Sequence, residues 1–119
     1  MKRHKYGAIA KTIDGHRFPS LAEARRYEQL SMMCKGGIIF GLRLQPKFAI
    51  VVNGQHICNV IPDFAYFEDG QYVVEDSKAG VRTAMHSLKA KLLKATHNIT
   101  IRETGKSSKR VLPRRAKAA

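Results

Sequence analysis

A chain of 119 residues, 44% of them hydrophobic, suits one compact domain with a modest core and ragged ends. No apolar run approaches the roughly 20 residues of a membrane span, and the basic stretch Met1 to Gly7 precedes no apolar segment of the signal-peptide kind, so a cytoplasmic protein is expected. Twenty-two Lys and Arg against 9 acids give a net charge of +13, which points to a polyanionic partner, nucleic acid first. It points away from a membrane surface, because no basic amphipathic segment carries a bulky aromatic face.

In chain order, residues 1–11 read as a basic arm. Asp14-Gly15, between Ile13 and Phe18, signals a tight loop or small hairpin. A helix is expected from "FPSLAEARRYEQLSMMCKGG". Ser20 is a good N-cap, Glu23 completes a capping box, Leu21, Ala24, Leu30 and Cys34 recur near helical spacing, and Gly36-Gly37 ends the run. Three strands follow: Phe48 to Val52, then Gln55 to Phe67 after an Asn53-Gly54 turn, then Gln71 to Lys78 after an Asp69-Gly70 turn. Pro62 belongs at an edge or a bulge of the second. A second helix begins near Thr83, with Met85, Leu88, Leu92 and Ala95 as its apolar stripe, and "ITIRE" alternates as a last strand. The domain therefore spans 12–103 in the order α-β-β-β-α-β, and 104–119 read as a basic disordered tail. Cys34 and Cys58 are expected to be buried thiols rather than a disulfide, and the scattered histidines show no zinc-ligand spacing.

Charge is distributed unevenly. From Ala79 onward Glu103 is the sole acid, while Arg82, Lys89, Lys91, Lys94, Lys109, Arg110, Arg114 and Arg115 are among many bases. Such residues neutralise phosphates with release of counterions, giving salt-sensitive affinity for nucleic acid; a helix with Lys89, Lys91 and Lys94 can equally be an ordinary solvated face.

Acids concentrate instead in "VIPDFAYFEDGQYVVEDSKAG". With a two-residue turn at Asp69-Gly70, Glu68 pairs with Gln71 and, counting back, Asp63 falls opposite Asp76, on a shared face. Period two then places Asp76 and Lys78 on one side and Glu75 and Ser77 on the other. A three-residue turn would oppose Asp63 to Glu75 instead. Two opposed carboxylates repel, and a hard divalent cation such as Mg²⁺ or Mn²⁺ would join them. Lys78 beside them would orient or deprotonate a water for attack on a phosphodiester. A solvated strand end with an Asp76–Lys78 surface ion pair accounts for the same residues.

Pro62-Asp63-Phe64, the Asp-Gly turn and Asp76-Ser77-Lys78 resemble the PD-(D/E)xK nuclease signature. With "KYGA", "FPSLAEARRYEQL" and "LRLQPKF", the chain is similar to an uncharacterised, mostly phage-borne branch of that superfamily and to phage endonuclease I type Holliday junction resolvases. The resemblance implies a restriction-endonuclease-like core of the α/β (α+β) class, with a mixed central sheet flanked by helices. It implies a Mg²⁺-dependent endonuclease, with Mn²⁺ as substitute, acting on branched or junction DNA as a homodimer. Its metal ligands fall on Asp63, Asp76 and the backbone carbonyl of Ser77, its lysine on Lys78 and its helical acid on Glu23, for which helix capping is the competing role. Aspartate at 76 departs from the commoner Glu, and Glu75 is the alternative partner if the register slips. Gln45 is either an extra polar residue of the site or a strand-edge hydrogen bonder. Arg82 and His86 are candidates to contact the scissile phosphate. The alternative function is a non-catalytic nucleic-acid-binding protein on the same fold; a third, an RNA-acting basic protein, would be indifferent to divalent metals.

Overall fold

Three two-residue turns shape the computed structural model, which describes residues 11–77 and 83–104. Asp14-Gly15, Asn53-Gly54 and Asp69-Gly70 all take positive φ at both positions, between 52° and 81°. That is the conformation of a tight hairpin whose twist matches its strands, and it suits an Asx-Gly pair. They close the hairpins β1 (Lys11–Ile13) with β2 (His16–Phe18), β4 (Phe48–Val52) with β5 (Gln55–Val60), and β6 (Phe64–Glu68) with β7 (Gln71–Ser77). The remaining elements are α1 (Leu21–Lys35), β3 (Ile39–Leu44), α2 (Ala84–His97) and β8 (Ile101–Thr104).

The protein is an α+β domain with a mixed four-stranded sheet in the order β3-β6-β7-β8. β7 and β8 run parallel, and the other pairs are antiparallel. Setting aside the hairpins β1–β2 and β4–β5, the order is α1-β3-β6-β7-α2-β8. This has the expected number of sheet elements, but different residues fill two places. β3 was not foreseen, the expected strand Gln55 to Phe67 is broken at Ile61–Asp63, and Phe48–Val52 pairs into a separate hairpin. Pro62 explains the break: it has no N–H for a ladder, and here it is buried between the two strands.

The α1 side of the sheet holds the larger core: Ala24, Tyr27 and Leu30 pack with Ile39, Phe64, Tyr66 and Val73. Ser20 caps α1 through the Glu23 N–H, and Gly36 closes the other end. The first hairpin is tied on by the Tyr27 hydroxyl donating to Asp14 Oδ2 at 2.9 Å and by the Phe18 ring 5.0 Å from that of Tyr27. A second core joins α2 to the β4–β5 hairpin through Leu93, Ile50 and Val60, with Ile101 packed against them. Cys34 and Cys58 are free and only partly buried.

The buried stripe of α2 corrects the sequence expectation. Leu93 is fully buried, while Met85 and Leu88 are 59% and 51% exposed and Ala95 is exposed. Adjacent leucines gave two plausible stripes, and the hairpin beneath the helix selects the one through Leu93, reinforced by His97 Nε2, 2.8 Å from the Ala49 carbonyl oxygen. Leu93→Ala is therefore expected to cost about 2–5 kcal/mol in urea unfolding, whereas Leu88→Ala should stay within about 0.5 kcal/mol of wild type.

Candidate functional site

The β6–β7 register is Phe64↔Glu75 through Glu68↔Gln71. One step beyond, Asp63 and Asp76 are neighbours at the end of the hairpin, where Asp76 lines a hollow on the α2 side and Asp63 one on the α1 side. Each aspartate is fixed by the other's strand: the Asp63 N–H donates to Asp76 Oδ1 at 3.1 Å, and the Ser77 N–H donates to Asp63 Oδ2 at 2.8 Å. Gln45, at the end of β3 with a left-handed φ of 51°, donates its N–H to the Asp63 carbonyl at 2.8 Å. A non-glycine residue in that region is uncommon, and this bond holds the Ile61–Asp63 break in place.

Glu23 reaches the same place from the first turn of α1. Its carboxylate accepts from the Ser20 hydroxyl at 3.4 Å and lies close to the Asp63 carboxyl. Burial, then repulsion and hydrogen bonding from Asp63, with a smaller contribution from Asp76, push its pKa up from 4.5 to about 7. Burial and a like charge at close quarters both disfavour the ionised form of Glu23. Capping and site roles coexist: the Glu23 N–H serves the cap while its carboxylate faces Asp63.

Two hollows open around these acids. One of about 210 Å³ is lined by Glu23, Asp63, Gln45, His16 and Arg17. The other, of about 250 Å³, is lined by Asp76, His86 and Lys89 together with Asn59–Pro62 and Ile101. Of the three α2 lysines, Lys89 lines this hollow, whereas Lys91 is exposed and Lys94 Nζ donates to Asn98 Oδ1 at 3.0 Å, securing the helix C-terminus. His86 Nε2 lies 3.7 Å from Glu103 Oε2. Lys78, Arg82, Lys109, Arg110, Arg114 and Arg115 lie outside the described residues.

Glu75, the alternative partner, points the other way. It is fully buried and gripped by Arg26, Nε to Oε1 at 2.8 Å and Nη2 to Oε2 at 2.9 Å, and it accepts from the Tyr66 hydroxyl. Hydrogen bonding to Glu75 raises the Arg26 pKa, and burial followed by the Glu75 bond pushes Tyr66 up to about 12. Sequence reasoning missed this network and the contribution of Arg17. The alternation of Arg17 with buried Phe18 could have signalled the latter.

Among the described residues, no group of three or more His, Cys, Asp or Glu side chains is disposed to hold a metal ion. The donor set nevertheless suits a hard cation in kind: all oxygen, all carboxylate, with a repulsion between Glu23 and Asp63 that a cation would relieve. No helix among the described residues is long and apolar enough to cross a membrane.

The class defined so far is a mixed-sheet α+β domain with three acids brought together at the broken end of its central hairpin. Residues 3–110 match the family described as "Protein of unknown function (DUF1064)", and the chain belongs to that family. No curated protein and no solved structure matches the chain.

Two outcomes follow from these electrostatics. Because the folded-state pKa of Glu23 lies above its ordinary 4.5, its favourable contribution is full below pH 4.5 and is lost as pH rises through about 7. In EDTA, Glu23→Gln should match wild type near pH 4.5 and exceed it by about 1 kcal/mol at pH 8, since solvent in the hollow screens part of the repulsion. Arg26→Ala, which strands the buried Glu75 charge, should cost about 3–5 kcal/mol at pH 7, and Arg26→Met with Glu75→Leu should restore most of that. Urea denaturation of the variants checks both.

Proposed function

We propose that the chain is a metal-dependent endonuclease of the PD-(D/E)xK type, hydrolysing phosphodiester bonds of DNA. The observation that carries this reading is the meeting of Glu23, Asp63 and Asp76 in a protein of net charge +13 with 9 acids in all. A binding protein for a polyanion has no use for carboxylates gathered where the phosphates would lie. The sheet-and-helix order α1-β3-β6-β7-α2-β8 is compatible with the restriction-endonuclease-like core.

Asp63 and Asp76, with the Ser77 carbonyl and Glu23, would hold Mg²⁺ or Mn²⁺. Such an ion supplies Lewis-acid stabilisation of the charge that develops on phosphate oxygens. Glu23 must first give up its proton, which makes loading favour higher pH. Lys89 and Arg17 flank the acids on opposite sides and attract the DNA backbone, and Lys78, next but one to Asp76, orients the attacking water. Addition of water across one P–O bond then severs the strand.

So small a domain has little surface for reading bases, which favours branched or junction DNA over a sequence. A homodimer fits that substrate. An exposed aromatic row supports self-association: Phe40 pairs with Phe67 and Phe67 with Tyr72 across β3, β6 and β7, and all three are 43–61% exposed. The alternative of a non-catalytic nucleic-acid-binding protein uses the same charge, and one experiment separates the two.

Duplex, flap, three-way and four-way DNA substrates incubated with Mg²⁺ should be cut by wild type, most strongly those with branches. Asp63→Asn and Asp76→Asn should bind the same DNA without cutting it, and Lys78→Ala should slow cutting by about 10²–10⁴-fold. Binding with no nicking of any substrate by wild type would leave the non-catalytic alternative.

A further inference from the structure

On the opposite side of β7 from Asp76, a hollow of about 350 Å³ lies between the first turns of α1 and the C-terminal ends of β7 and β8, lined by Ala22, Arg25, Arg26, Gln29, Ser77 and Thr104. We infer that it is a phosphate-binding subsite for a nucleic-acid strand, built from Arg25, Gln29, Ser77 and Thr104; the inference rests on the nucleic-acid reading above but not on cleavage.

Thr104 Oγ1 gives the first indication, being buried with no hydrogen-bond partner among the described residues. Leaving a hydroxyl in that state is unfavourable, and a ligand oxygen placed beside it removes the cost. The polarity of the lining gives the second. Arg26 is spent within the protein, its Nε and Nη2 on Glu75 and its Nη1 on Gln29 Oε1 at 2.9 Å. Gln29 thereby accepts through its oxygen, leaving the amide N–H groups as the donors it can offer a ligand. The Arg25 guanidinium is exposed and makes no ion pair with an acid among the described residues. No acid lines the hollow, so its offering is a cation, an amide donor and two hydroxyls, a set for an anion and not for a metal.

Position identifies the source of that anion. Side chains alternate along a strand, so Asp76 faces the acid site and the next residue, Ser77, faces this hollow. A nucleic-acid strand lying over the end of β7 presents phosphates to both sides of the sheet at once. The acid site would act on one phosphodiester while the hollow on the α1 side grips another, fixing the strand's path across the sheet end.

The test is binding of a fluorescent four-way DNA junction to the full chain in EDTA, over a series of salt concentrations. Arg25→Ala should lower the slope of log K against log salt by about 0.7–0.9, the release of one phosphate's counterions. Thr104→Val, which keeps shape and charge, should weaken binding about threefold to tenfold at unchanged slope and without lowering the melting temperature. Unaltered affinity in Thr104→Val, an unaltered slope in Arg25→Ala, or no binding of DNA by wild type would each overturn the subsite. Stabilisation of wild type by inorganic phosphate, lost in Arg25→Ala with DNA binding unaffected, would assign the hollow to free phosphate and also overturn it. Binding that weakens as expected in a protein that never nicks DNA would sustain the subsite while removing the nuclease reading. Nicking by a protein whose DNA binding ignores both substitutions would do the reverse.

Discussion

The pairing of β6 with β7 through a two-residue Asp69-Gly70 turn is the constraint on which the rest depends. Side chains along a strand alternate, so a slip of one residue would exchange Glu75 and Asp76 between the two faces of the sheet. In the observed register Glu75 is delivered to the interior beneath α1 and Asp76 to the opposite face beside Asp63. The two carboxylates are adjacent in sequence and opposite in fate. Arg26 enforces that outcome, because its guanidinium satisfies both Glu75 oxygens. The ion pair is thus a register lock for the acid site, a use of buried charge better attested than raw stability.

α1 carries two such duties at once. Arg26 secures Glu75 on one side of the sheet, while Glu23, three residues earlier, meets Asp63 at its end. The orientation of the helix is set by the Ser20 cap, the Tyr27–Asp14 bond and the tilted contact of Tyr27 with Phe18, which join the first hairpin to the helix that carries Glu23. That coupling also places Arg17 at the edge of the hollow that Asp63 and Glu23 share.

Legibility in the sequence tracked the locality of the signal. The Asx-Gly turns, the Ser20 cap and the Gly36 stop were readable because each depends on a few adjacent residues, and the Asp63–Asp76 juxtaposition followed by counting from one turn. β3 escaped because Gly41, at a positive φ of 66°, sits where its register shifts, which breaks the two-residue alternation. The long strand expected from Gln55 to Phe67 failed at Pro62, whose effect was foreseen in kind but not in extent. Leu93 against Leu92 was undecidable by periodicity, since the choice belongs to the hairpin packed beneath α2. The meeting of Glu23 with Asp63 and of Arg26 with Glu75 joins residues 40 and 49 positions apart, and no local pattern encodes either.

Six of the nine acids of this basic chain sort into two kinds by what they touch. Asp14 accepts from Tyr27, Glu75 from Arg26 and Tyr66, Glu68 lies 3.6 Å from Arg102, and Glu103 lies near His86. Each of these has a structural partner of complementary character. Glu23 and Asp63 instead face one another, with backbone N–H and a hydroxyl as their remaining partners among the described residues, and burial followed by repulsion from Asp63 raises the Glu23 pKa. With 22 Lys and Arg available, a neutralising base could readily have occupied the space between them. Bases are thus spent on solitary acids, while Glu23 and Asp63 are left side by side with no base between them among the described residues. Under the proposed function, a cation arriving with a phosphate backbone would relieve that repulsion, and Lys89 and Arg17, which line the two hollows, would hold the phosphates.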